Sequence, residues 1–206
     1  MTLKNMVHLE LGSENKFAFV FSCPGQKEQD ATPPGPAKGQ TGGNLNKLLS
    51  LLSSEKRFTG MNREMVTITN SWDKVEYKGK TKRTEATKRE VLDSNNLHRL
   101  AMEIENIEEI IFASGENAKA CVSSLNLEGK LKSTVQVISL RHLGNQSINQ
   151  IRWDKDGIEI ITYNKDNPKP ISEKRSLKEL RRINVQRRFE KVAFDLLNDI
   201  ESENFL

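Results

Sequence analysis

At 206 residues the chain is long enough for one domain with a full core. Charged residues make up 29% and apolar ones 35%, and no apolar run nears the ~20 residues that cross a bilayer, so a soluble protein without a membrane partner is expected. Two cysteines exclude a disulfide framework or a four-thiolate cluster, and a net charge of +4 is too mild to name a partner by itself.

The opening Met1-Thr2-Leu3-Lys4-Asn5 has no signal-peptide core, which with the cysteine count leads us to expect a cytoplasmic monomer. Residues 17–21 form a short apolar, aromatic run with the length of a buried strand. A polar loop follows from Ser22 to about Thr41, rich in proline and glycine and without periodicity. Leu45, Leu48, Leu49 and Leu52 then mark a helix. A second strand is predicted over 65–70, ending in Thr69-Asn70, and a flexible basic loop over 78–83. Thr84 or Thr87 could cap the next helix, which is predicted to run to about residue 105. Residues 107–113 and 135–139 read as the third and fourth strands, with a helix after Gly115 between them. Residues 151–163 read as a hairpin turning at Asp156-Gly157. A terminal helix from about 176 to 200 has a strongly basic first half.

Strands alternating with helices predict an α/β fold. The expected architecture is a three-layer α/β/α sandwich around a central four-stranded, mainly parallel sheet, plus a C-terminal hairpin and basic helix. The whole chain, 1–206, reads as a single domain, with a core over about 15–150 and an extension over 151–206. In such sheets ligands sit at the carboxyl ends of strands. Three of the predicted strands end in polar sequence there: Cys23 to Asp30, Thr69-Asn70 and Arg141-His142.

In order along the chain come Pro24-Gly25 with Glu28 and Asp30, Gly39-Gln40-Thr41-Gly42, and Thr69-Asn70 followed by Arg83-Thr84-Glu85. Gly115-Glu116-Asn117-Ala118 and His142-Leu143-Gly144 complete the set. On these motifs, over roughly residues 15–150, the chain resembles the uracil-DNA glycosylase superfamily, and most closely its iron–sulfur-type branches. The resemblance implies a monofunctional DNA glycosylase that flips a base out of DNA and leaves an abasic site. Glu28 and Asp30, the only acids in the first loop, become the candidates to support the sugar cation or activate water, and His142 to donate to the departing base. Asn70, Cys23, Gln26 and Ala37 would line the base site, the Asn70 amide pairing with the base edge. DNA would be held by Gly42, Gly43, Lys80, Lys82 and Arg83, and by Gly144, Asn145, Gln146 and Ser147 in the loop Leu143 to Ser147, which would wedge into the duplex where the base leaves.

Three departures from the family pattern sharpen this expectation. Two cysteines cannot supply a four-cysteine cluster, so no iron–sulfur cluster, metal or other cofactor is expected. Cys23 stands before Pro24, where related branches place an Asp or Asn that holds water. Pro36-Ala37 stands where a Pro-Phe pair would stack on the base, which implies an open pocket. The open pocket favours a bulky modified pyrimidine, such as the glucosylated 5-hydroxymethylcytosine that some superfamily members remove in antiviral defence. The alternatives are DNA repair of uracil or another deaminated base, or DNA binding without catalysis. A nucleotide-hydrolase reading of residues 39–43 fails because no Gly-Lys-Ser/Thr follows. Trp72 and Trp153 are expected to be packing residues, with stacking on nucleic acid as the alternative.

Overall fold

The computed structural model describes residues 6–164, 167–170 and 172–203; the expectation about Met1–Asn5 lies outside them. Five strands form one sheet: β1 (Leu9–Glu10), β2 (Phe17–Phe21), β3 (Thr67–Asn70), β4 (Ile110–Ser114) and β5 (Gln136–Leu140). Their order is β1-β3-β2-β4-β5, with β1 antiparallel to β3 and every other pairing parallel. The four expected strands are therefore joined by a fifth. Two residues long, β1 carries no readable period.

Alternation along β2 sets the layers. Phe17, Phe19 and Phe21 share one core with Leu45, Leu48 and Leu52 of α2 (Gln40–Leu52) and with Phe189 and Leu196 of the terminal helix. Ala18 and Val20 share the opposite core with Leu97, Leu100 and Ile104, and with Cys121, Val122 and Leu125. These two sets lie on the helices 94–104 and 116–127, here α5 and α6. A parallel sheet needs both faces covered, and here both are. From β2 the chain passes to β3 on one side and later to β4 on the other. The carboxyl ends of β2 and β4 thus form a switch point.

Several local expectations change. The first loop contains a helix, α1 (Gln26–Asp30), and the basic loop folds as α3 (Lys78–Thr81), closed by Lys82 at φ +61. Thr87 does cap a helix, accepting from the Glu90 N–H, but this α4 (Lys88–Val91) is short. Asp93 then starts α5 separately by accepting from the Asn95 N–H. After β5, residues 145–149 form α7, and Leu143 before it is fully buried, so it supplies no apolar wedge. The hairpin over 151–163 reduces to one antiparallel bridge, Trp153 with Glu159. Trp72 is buried as expected, whereas Trp153 is 56% exposed.

The terminal helix, α8 (Leu177–Glu203), begins at Ser176. Its hydroxyl accepts from the Glu179 N–H while the Glu179 carboxylate accepts from the Ser176 N–H. Two of its basic residues serve the interior: Arg187 binds Asp154 at 2.6 Å, and buried Arg188 donates to the Ile151 carbonyl. No helix among the described residues is long and apolar enough to cross a membrane.

The start of α2 is packed as tightly as a backbone allows. A Cβ at Gly42 would lie 1.7 Å from the Ala37 carbonyl oxygen, whereas a Cβ at Gly43 would meet nothing. Gly42→Ala is therefore expected to lower stability in urea unfolding by about 1–3 kcal/mol through overpacking. Gly43→Ala is expected to be neutral or to gain up to about 1 kcal/mol from helix propensity. Equal effects at the two positions would contradict this packing.

Candidate active site

At the switch point lies a cleft of about 290 Å³, lined among others by Ser22, Cys23, Glu28, Ala37, Asn70, Glu85 and His142. Register brings Asn70 there, because Phe21 of β2 pairs with Asn70 of β3. The pairing continues beyond the strands: the Ser71 and Trp72 N–H groups donate to the Phe21 and Ser22 carbonyls. Asn70 is 2% exposed, and its Oδ1 has no hydrogen-bond partner. A buried amide oxygen left unpaired costs stability.

The backbone of Asn70, by contrast, is pinned. Arg99 of α5 donates to its carbonyl at 3.0 Å and to Asn96 Oδ1 at 2.9 Å, and pairs with Glu103 at 2.6 Å. His8 and the Thr69 hydroxyl also bind Glu103. Burial pushes the Glu103 carboxyl up, but the His8 hydrogen bond, the Arg99 charge and the Thr69 bond outweigh it and leave the group below its ordinary range. His8 is thereby a structural histidine of β1's edge.

His142 follows β5. Its Nδ1 accepts from the Gly144 N–H at 2.9 Å, which in the neutral ring leaves the proton on Nε2. Nε2 is then a donor without a partner among the described residues, at a residue lining both the cleft and a neighbouring depression of about 430 Å³. Gly115, at φ +90, makes room for the ring: a Cβ there would sit 3.2 Å from His142 Cδ2. On the opposite side, the Asn44 amide of α2 donates to the Leu143 carbonyl at 2.7 Å and to Asn145 Oδ1 at 3.2 Å. This fastens the loop after β5 to the first turns of α2.

The first loop is fastened too. Glu28 accepts from the Gly25 N–H at 3.1 Å and the Gly39 N–H at 3.3 Å, so its carboxylate bridges α1 to α2 at the cleft wall. Arg63, held by Glu10, donates to the Pro36 and Ala37 carbonyls at 2.7 and 3.1 Å. Ala37 is thus fixed in the wall at φ +46, with only a methyl group to offer. The Cys23 thiol is pushed up to about 12, first by burial and then by the Glu85 charge, and it donates to the Thr84 carbonyl. It remains a neutral thiol, neither a nucleophile nor a base.

Not every expected residue reaches the cleft. Asp30 and Gln26 are exposed on α1, outside its lining. Arg83 is taken up by two carboxylates, Glu76 at 2.6 Å and Glu90 at 2.7 Å. Lys80 donates to Gln29, which ties α3 to α1, and Lys82 is exposed. Gly42 is buried beneath Ala37, while Gly43 faces open space. Gly144 closes against the imidazole. Asn145 and Gln146 are exposed on α7, and Ser147 lines the neighbouring depression, its carbonyl accepting from Arg141. Glu85 is the residue that sequence reasoning passed over. It is exposed and makes no hydrogen bond or ion pair among the described residues, and it lines both the cleft and the neighbouring depression. Its place directly after Arg83-Thr84 was the available signal.

Neither the protein-family models nor the curated proteins contain a match to this chain.

The Glu76–Arg83–Glu90 triad supports the segment that carries Glu85. Arg83 hydrogen bonds hold the Glu76 carboxyl down at about 2, against its ordinary 4.5. A depressed carboxyl stabilises the fold fully above about pH 4.5, and that contribution disappears as pH falls toward 2. Arg83→Met is expected to lower the melting temperature by several degrees at pH 7, because it leaves Glu76 buried without its partner. The gap from wild type should narrow between pH 4.5 and 2 in thermal scans. A gap that widens on acidification would contradict this.

Proposed function

We propose that this protein is a monofunctional DNA glycosylase that hydrolyses the N-glycosidic bond of a flipped pyrimidine and leaves an abasic site. The observation that carries the reading is the Asn70 side chain, buried at the strand end and lining a cleft that also holds His142. An amide offers a donor and an acceptor side by side, which suits the edge of a nucleobase.

In the reaction the bond from the sugar C1′ to the base nitrogen breaks, and its electron pair leaves with the base. His142 Nε2–H meets the base carbonyl on which that charge develops. Glu28, fixed by two backbone N–H groups, faces the developing sugar cation. Glu85, without a partner among the described residues, takes the proton of the water whose oxygen bonds to C1′. Asp30, outside the cleft, has no step in this scheme.

The substrate we favour is a bulky modified base, such as glucosylated 5-hydroxymethylcytosine in phage DNA. A methyl group at Ala37 leaves the cleft without an aromatic lid, and at His142 the cleft meets the depression of about 430 Å³, where a substituent could lie. Removal of such bases would serve antiviral defence.

The test is incubation with oligonucleotides bearing uracil, hypoxanthine, 5-hydroxymethylcytosine or its glucosylated form, followed by alkaline cleavage of abasic sites. Breaks are expected with the glucosylated base. Breaks with uracil alone would replace this substrate by a repair role, and none with any base would leave a DNA-binding protein without catalysis. His142→Ala is expected to lower kcat roughly 10²–10⁴-fold, and Glu85→Gln about 10²-fold, as for loss of general acid–base groups. Asp30→Asn should retain activity; its loss there would overturn the role given to Glu85.

A further inference from the structure

The cleft borders a neighbouring depression, and that depression borders a third hollow. The cleft shares Ser22, Glu85 and His142 with the depression. The depression shares Ser139, Leu140 and Arg141 with the third hollow, of about 470 Å³, which runs between the end of β5, residues 150–153 and α8. Among the residues lining this hollow stands Trp153, 56% exposed. An exposed indole on a loose loop would carry little meaning, but this one is held. The residues flanking it are bonded on both sides, Asp154 N–H to the Ile158 carbonyl at 3.0 Å and Ile160 N–H to the Arg152 carbonyl at 2.7 Å. Arg187 of α8 clamps the Asp154 carboxylate. The ring is therefore presented to solvent on a braced backbone, which lowers the entropy lost when something stacks on it.

The charge around the ring is also specific. Lys191 and Asp195 pair with each other across one wall. Asp199 stands on the same wall, while Arg141 and Arg152 are exposed and line the same hollow as the indole. Arg141 uses one nitrogen on the Ser147 carbonyl and keeps further donors free. Two guanidinium groups in one hollow with an exposed aromatic face make the combination that holds unpaired nucleic acid: a cation for each phosphate and a platform for a base.

We propose that this third hollow takes unpaired strand flanking the flipped nucleotide, with one base stacked on Trp153 and its phosphate met by Arg141 and Arg152. This rests on the glycosylase reading for the cleft itself, but the stacking subsite reads no base sequence and needs no modified base.

Tryptophan emission tests it. Trp72, the other tryptophan, is 8% exposed with its Nε1–H on Glu76, so quenching by an added oligonucleotide reports chiefly on Trp153. Unmodified single-stranded oligothymidylate of eight nucleotides is expected to quench the wild-type protein and not Trp153→Phe. By anisotropy of the same labelled oligonucleotide, Trp153→Ala should bind about tenfold more weakly, and Trp153→Phe within about threefold of wild type, since stacking contributes at this scale. Arg152→Ala should weaken binding and flatten its salt dependence. Wild-type affinity in Trp153→Ala, or equal quenching in Trp153→Phe, would overturn the subsite. Excision without quenching overturns the subsite and leaves the glycosylase reading intact. Quenching without excision of any base does the reverse.

Discussion

Everything at the cleft depends on one register, the parallel pairing that sets Phe21 of β2 against Asn70 of β3. A slip of one residue would turn Asn70 to the opposite face of the sheet and bring Thr69 in its place. The register is secured twice over. Alternating Phe and Ala/Val in β2 commit its two faces to different cores, and the ladder runs on through Ser71 and Trp72. Behind Asn70, the Arg99–Glu103 pair holds the backbone carbonyl while leaving the side-chain amide unspent. The position of the amide is thus determined by the fold, and its hydrogen-bonding capacity is reserved.

The cleft walls use the same device, polar side chains tied to main chain across long sequence separations. Glu28 joins α1 to α2, Arg63 fixes Pro36 and Ala37, and Asn44 holds the loop that carries His142. Loops rich in proline and glycine are ordered here by charge-assisted bonds to main-chain groups, which are stronger than neutral ones. A wall built this way keeps its shape without filling the cleft with apolar side chains, and the small residue at Ala37 leaves the mouth wide.

This construction also explains what was legible in the sequence. The parallel strands could be read because residues 17–21, 65–70, 107–113 and 135–139 are compact apolar runs with β-branched or aromatic content. Asn70 could be read because it ends such a run, and His142 because it lies just beyond one. What could not be read depended on distant partners. The helix α1 has no apolar period and is closed by Glu28 reaching Gly39. Arg83 resembled a phosphate ligand until Glu76 and Glu90 were seen to occupy it. Asp30 and Glu28 were equivalent acids in one loop, and only the turn of α1 separates them, one in the wall and one in solvent. Glu85 enters the cleft from another crossover, which no local pattern announces, and Trp153 is exposed rather than packed.

The most direct test concerns the Asn70 amide itself. Its side-chain N–H₂ resonances can be identified in a ¹⁵N–¹H correlation spectrum as the pair missing from Asn70→Asp. They can then be followed as the free base that the proposed reaction would release is added. A saturable shift of that pair, with the ring protons of His142 moving at the same concentrations, is the expected result. Resonances that stay fixed while the base is bound elsewhere, or is not bound at all, would contradict the assignment of this cleft to a nucleobase.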